Sequence, residues 1–226
     1  MIRPRYNSIA IQNDLSKKMV FIGGPRQVGK TTLASSIGKA HYPHFSYYNW
    51  DDRLHRQQIL AERFDPKAKL LIFDELHKYR QWKQYVKCVY DTQKERFRLI
   101  VTGSARLDLY RKGGDSLQGR YHFHRLHPFS LAEIVQKGVV PSPMHELLPH
   151  ESIRGIAEHF QNLLTFGGFP EPFLAQEMRT LRRWHNERLD RIIKEDIRDL
   201  ESIRDLSSLQ VLVEILPRQA SSLLSL

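Results

Sequence analysis

Gly24-Pro25-Arg26-Gln27-Val28-Gly29-Lys30-Thr31 sets two glycines, a lysine and a hydroxyl at the spacing GxxxxGK(S/T). That spacing suits the capture of a phosphate chain. Glycines let the backbone curl so that successive N–H groups face one point, and a helix opening near Lys30 adds the positive end of its dipole. In such a loop Lys30 reaches the β- and γ-phosphates of a nucleoside triphosphate, and the Thr31 hydroxyl is a magnesium ligand. Thr32 is a further candidate phosphate contact. The competing reading, a glycine-rich turn that only joins a strand to a helix, leaves Lys30 and Thr31 without a task.

Leu70-Leu-Ile-Phe73-Asp74-Glu75 supplies a second set: four apolar residues deliver two acids to the carboxyl end of a strand, where ligands of open α/β sheets bind. Asp74 is the candidate magnesium-side carboxylate. Glu75, one residue on, is placed to orient and deprotonate an attacking water. The alternative for Glu75 is a surface carboxylate paired with Lys78 or Arg80. Arg98 to Ser104 has the same shape, an apolar strand ending in small hydroxyl residues. Thr102 or Ser104 could hydrogen-bond that water or the γ-phosphate, while Ser104 could equally cap a following helix.

These groups meet only if the elements between them alternate. Lys18 to Ile22 reads as a buried strand stopped by Gly23 and Gly24, with a helix from Lys30 to about Ala40. Phe45 to Asn49 reads as a second strand, after which Asp51 and Asp52 can cap a polar helix through Ile59. Lys69 to Asp74 is a third strand of the kind buried on both faces of a parallel sheet. Trp82, Tyr85, Val86, Val89 and Tyr90 fall at i, i+3, i+4, i+7 and i+8, which predicts a helix with one core face. A fourth strand over Arg98 to Thr102, a short helix over Ser104 to Lys112 and a fifth strand over Gly119 to Leu126 complete the pattern. The expected fold is α/β, a five-stranded parallel sheet flanked by helices.

Beyond Pro128 the pattern changes. Pro141, Pro143 and Pro149 interrupt a stretch that gives way to helices alone, so the expected division is an α/β domain over 1–140 and a helical domain over 151–226. Ser152 to Thr165 is predicted helical, Gly167, Gly168 and Pro170 a turn, and Thr180 to Leu200 a long helix with Leu189, Ile192, Ile193, Ile197 and Leu200 as its apolar stripe. A last helix is expected from Ser207, ahead of Leu223, Leu224 and Leu226, and a helical unit ending on such leucines reads as incomplete.

With 226 residues and 41% hydrophobic composition the chain can bury a full α/β core. The single Cys88 excludes an intrachain disulfide, its expected role is packing, and the absence of a signal-like opening points to the cytoplasm. No apolar run approaches the roughly 20 residues of a membrane span. A formal charge of +10 favours polyanionic partners, nucleic acid first, although Arg179 to Arg204 interleaves acids with arginines as a solvated face does.

The order of Gly24 to Thr31, Asp74-Glu75, Thr102-Gly-Ser-Ala-Arg and Gly119-Arg120 resembles the AAA-type ATPases. Asn49-Trp50-Asp51, Asp74 to Lys78, Gly167-Gly-Phe-Pro170 and the stretch from Asp196 to Leu209 narrow the likeness. They resemble a prokaryotic ATP-binding family whose ATPase domain precedes a helical, winged-helix-like domain of unknown function. The resemblance implies Mg-ATP as ligand, hydrolysis to ADP and phosphate, and a homo-oligomer in which an arginine before the fifth strand enters a neighbour's site. Arg120 matches that position; a strand-edge salt bridge is its alternative, and Arg106 and Arg111 are rivals. Members of the family continue past the point where this chain ends, and no residue here matches the second sensor arginine of many AAA-type lids.

Adenine is expected over guanine because the NKxD signature does not occur. A rival reading is a nucleotide-gated module whose ATP occupancy switches binding of DNA or a protein, with little turnover. A small-molecule kinase fits less well, since an acid beside Asp74 invites water. His122, His124 and His127 invite a metal reading, but no carboxylate or cysteine stands beside them at ligand spacing. His145-Glu146 and His150 miss the HExxH spacing by one residue, and Pro149 intervenes.

Overall fold

The apolar runs of the sequence fold as expected into strands, and their strict alternation decides which helix each face meets. The structure, a computed structural model, describes residues 5–103, 117–135, 155–191, 211–212 and 215–216. Along the chain run α1 (Ser8–Leu15), β1 (Met19–Gly23), α2 (Lys30–His41), β2 (Phe45–Asn49) and α3 (Arg53–Leu60). There follow β3 (Leu70–Asp74), a 3-10 turn (Leu76–Lys78), α4 (Trp82–Gln93), β4 (Arg98–Thr102) and β5 (Tyr121–Arg125). The last described helices are α5 (Leu131–Val135), α6 (Ile156–Phe166), α7 (Pro170–Ala175) and α8 (Met178–Arg191).

The five strands form one parallel sheet in the order β2-β3-β4-β1-β5. Its register aligns the carboxyl ends: Asn49 lies beside Asp74, Asp74 beside Thr102, Thr102 beside Ile22, and Ile22 beside His124. Because β1 is flanked by β4 and β5, the chain crosses from one half of the sheet to the other at β1. That reversal places the Gly24–Thr31 loop where a doubly wound sheet opens its ligand crevice.

Side chains alternate across each strand. Met19, Phe21, Leu71, Phe73, Leu99 and Val101 pack with Ile59 of α3 and with Trp82, Val86 and Val89 of α4. Val20, Ile22, Leu70, Ile72 and Ile100 pack on the other face with Ile11 and Leu15 of α1 and Leu33, Ala34 and Ile37 of α2. By the same parity Tyr47, Asp74 and Thr102 stand on the α2 face, which is why they converge on the first turn of α2.

Of the two acids expected to cap α3, Asp52 does so: its side chain accepts from the His55 amide at 2.8 Å. Cys88 corrects an expectation, being exposed on α4 while Trp82, Val86 and Val89 take the core. α1 and α5 were not expected, and Pro170 opens α7 where a turn was predicted. Proline suits the first position of a helix, where its missing N–H costs nothing. The predicted helix over Ser104 to Lys112, the prolines at 141, 143 and 149, His145, Glu146 and His150, and residues 192–200 of the long helix lie outside the described residues; of the helix expected from Ser207 only 211–212 and 215–216 are described, and they are helical.

The chain divides into two compact units, Met1–Phe173 and Leu174–Leu226. In the second, α8 carries an exposed Arg183–Glu187 pair at i, i+4 and buries Leu181 and Trp184. Among the described residues no helix is long and apolar enough to cross a membrane.

Candidate active site

Two glycines shape the loop after β1. Gly24 has φ +147°, and a Cβ there would stand 2.3 Å from the Leu126 carbonyl oxygen, so only glycine fits. Gly29 has φ +95° and precedes the first residue of α2 in the left-handed region. Gln27, at φ 61°, holds the same strained region without being glycine. Pro25 and Arg26 complete the curl between them. Lys30 is buried at 7% exposure, and its Nζ donates back into the loop, to the Gly24 carbonyl at 3.1 Å and the Pro25 carbonyl at 2.8 Å. Thr32, next to Thr31, is exposed.

Asp74 is the centre of a hydroxyl cluster. Its Oδ2 accepts from Thr31 Oγ1 at 2.8 Å and from the Tyr47 hydroxyl at 2.7 Å, and its Oδ1 accepts from Thr102 Oγ1. These donors come from α2, β2 and β4, so the carboxylate is fixed from three directions. Tyr47 was missed in the sequence; strand parity with Ile72 and Asp74 was the signal that could have found it. Its phenol is pushed well above its ordinary range by burial, by its hydrogen bond to Asp74 and by the charges of Asp74, Glu75 and Asp51. The hydroxyl therefore stays protonated as a donor. Thr102 differs from expectation: wholly buried and turned onto Asp74, it orients a carboxylate instead of facing a phosphate or water. Ser104 lies outside the described residues.

Thr31 and Asp74 offer hard oxygens on one spot. Neighbouring ligands of an octahedral ion bound at about 2.0–2.1 Å lie about 3 Å apart, close to the 2.8 Å between these two oxygens. The donor set fits magnesium. No cluster of three or more His, Cys, Asp or Glu side chains able to hold a metal exists among the described residues. His124 instead bonds Asp14 of α1 at 2.8 Å.

Glu75 follows in the left-handed region, φ 57°, and its amide donates to the Thr102 carbonyl at 3.1 Å. This twist carries its side chain off the strand's alternation. Oε2 lies 3.5 Å from Lys78 Nζ and 3.8 Å from His77 Nε2, so the pairing with Lys78 weighed as an alternative is present. Lys78 also bonds Asp51, just past the end of β2. Burial raises the Glu75 pKa, and nearby Asp74 adds to the rise, while the charges of Lys78, Lys30 and Arg26 oppose it. Lys30 and Asp74 thus both act on the charge of Glu75.

Arg120 is elsewhere. Its backbone carbonyl accepts from Met19, at the amino-terminal edge of the sheet, and its guanidinium forms a bidentate pair with Asp91 at 2.8 and 3.1 Å. The sheet separates it from the loop of its own chain.

The AAA domain family matches residues 16–135, and a domain of unknown function (DUF8612) matches residues 157–226. An uncharacterized Methanocaldococcus jannaschii protein, MJ1544, is 26% identical over 212 residues, covering 89% of this chain and 47% of its own length. The chain therefore spans about half of that relative. Among solved structures, the Thermotoga maritima RuvB Holliday junction branch migration motor aligns with a TM-score of 0.47 and 17% identity, over 94% of this chain and 67% of its own. C. elegans PCH-2 aligns with a TM-score of 0.38 and 13% identity, over 72% and 56% respectively. The AAA match takes in the glycine loop, Asp74-Glu75 and all five strands, more than half of the 226 residues, and the chain belongs to the AAA-type P-loop ATPases.

Proposed function

We propose that this chain binds Mg-ATP in the Gly24–Thr32 loop and hydrolyses it to ADP and phosphate. The observation that carries the reading is the meeting of Thr31 and Asp74 at 2.8 Å, with Lys30 and Glu75 beside them. Loop amides and Lys30 take the β- and γ-phosphates. Thr31 and Asp74 hold the magnesium ion, which when bound neutralises charge on the phosphate oxygens. Tyr47 and Thr102 keep the Asp74 carboxylate aimed. Glu75 orients a water and accepts its proton as the water oxygen bonds to the γ-phosphorus and the bond to ADP breaks.

Arg120, remote from its own loop, serves a neighbour's site in a homo-oligomer. The excess of basic charge and the helical region past residue 155 suit a DNA or protein partner driven by this cycle. A gated switch with little turnover gains support from the Glu75–Lys78 contact, which occupies the base. Phosphate release from Mg-ATP by wild type and by Glu75→Gln separates the two. Turnover that vanishes in the variant while ATP uptake persists supports the enzyme; no release from wild type supports the switch.

A further inference from the structure

Arg5 lies outside every motif, yet its guanidinium is 6% exposed and makes three hydrogen bonds to distant segments. Nε donates to Glu133 Oε1 at 2.7 Å, one terminal nitrogen to the Val28 carbonyl at 2.9 Å, and the other to the His127 carbonyl at 2.5 Å. The guanidinium carbon also stands 4.6 Å from the centre of the Phe129 ring. Glu133 is itself buried, and the same Oε1 accepts from the Tyr6 amide at 2.9 Å. Taking such a pair out of water is costly, so the arrangement is weak as a mere stabiliser.

What it does to the loop is specific. In a trans peptide the carbonyl and the following N–H point in opposite directions. The Val28 carbonyl accepts from Arg5, so the Gly29 N–H of the same peptide points the opposite way, away from the guanidinium. A peptide that precedes glycine is otherwise easily flipped, because glycine accepts either sign of φ. The outer wall is completed by the Gly167–Pro170 segment. Pro170 Cγ lies 3.9 Å from where a Gly29 Cβ would be, Arg5 is 3.7 Å from the same point, and the Phe129 amide donates to the Gly168 carbonyl at 2.7 Å. The Gly-Gly-Phe-Pro motif and Arg5 therefore back the loop from one side.

We infer that Arg5 is a positioning residue for phosphate binding, holding the Val28–Gly29 peptide so that the Gly29 amide faces the β-phosphate. The inference rests on the reading of the loop as a nucleotide site. The test is ADP and inorganic tripolyphosphate affinity, with KM and kcat for Mg-ATP, in wild type, Arg5→Met, Arg5→Lys and Glu133→Gln. One lysine nitrogen cannot bridge three acceptors set around a planar fork, so Arg5→Lys should not rescue. Both Arg5 variants should lose about ten- to a hundred-fold in affinity for both ligands, the worth of one oriented hydrogen bond to charge. Glu133→Gln, which still accepts from Nε, should lose less. In wild type the Gly29 amide resonance should shift on adding ADP, and in Arg5→Lys that shift should be lost. If Arg5→Met does not fold, Arg5→Lys carries the test. Wild-type affinity in a folded Arg5 variant, with an unchanged Gly29 shift, overturns the assignment, whereas failure of wild type to bind ADP overturns the nucleotide reading itself.

Discussion

Thr31 and Asp74, 43 positions apart in the chain, are joined by a 2.8 Å hydrogen bond from hydroxyl to carboxylate. One belongs to the first turn of α2 and the other ends β3, with β4 intervening in the sheet. Their meeting requires the β2-β3-β4-β1-β5 order and the parity that turns Asp74 to the α2 face. A hydroxyl and a carboxylate oxygen in that relation would supply two of the six ligands of an octahedral magnesium ion, and the behaviour expected of the protein follows from keeping them so.

Thr102→Val should destabilise the fold and leave Asp74 less well aimed. Thr102 is wholly buried and Asp74 is 5% exposed, so the lost donor is not replaced by water. A buried hydrogen bond to a charged group is worth about 1.5–3 kcal/mol, and each kcal/mol lowers the melting temperature of a chain this size by about 2–4 °C. Thermal melts by circular dichroism should show that drop for Thr102→Val and little change for Thr102→Ser. An unchanged melt for Thr102→Val would remove the Thr102–Asp74 bond from the account.

Turnover should fail in acid at a higher pH than an ordinary glutamate would impose. Burial raises the Glu75 pKa above 4.5, and a base must be ionised to accept a proton, so activity is present above the raised pKa and lost as pH falls through it. The same shift stabilises the folded state as pH falls, since the fold binds this proton more tightly than the unfolded chain does. Activity should thus fall on acidification with no loss of structure attributable to Glu75. Removing the opposing charge in Lys78→Met should move the acid limb of the kcat profile to still higher pH; a limb that stays put, or moves down, contradicts the assigned role.

Arg120→Ala should keep ATP binding and lose turnover, by roughly 10³ to 10⁵ if it acts as an arginine finger does elsewhere. Mixing it with Glu75→Gln should restore part of the activity, because a hybrid interface joins an intact base to an intact finger. Since the Arg120–Asp91 pair is exposed, Asp91→Asn should scarcely alter stability. Full activity in isolated Arg120→Ala would leave Arg120 as the salt bridge it forms with Asp91.

The sheet and the heart of the site were legible because their signals are short-range. Met19 to Ile22 and Leu70 to Phe73 are apolar runs closed by glycines or acids, Asp52 is a cap with its helix behind it, and the Trp82 to Tyr90 period marks α4. What the sequence hid depends on tertiary placement. Tyr47 looked like one aromatic of the second strand until parity set it on Asp74. Arg5 and Glu133, 128 positions apart, had no local reason to be noticed. Cys88 was expected to pack on residue type alone, although its helical position sets it off the face formed by Trp82, Val86 and Val89. Glu75 read as the residue just past the strand, placed to orient a water, and its left-handed backbone brings it beside His77 and Lys78.

The most direct test of the central claim is a calorimetric titration of Mg-ATP into wild type and Lys30→Ala. The account predicts saturable uptake of one nucleotide per chain by wild type and none in the variant, whose loop has lost the cation that meets the phosphates. Micromolar affinity retained by Lys30→Ala, or no uptake by wild type, would contradict it.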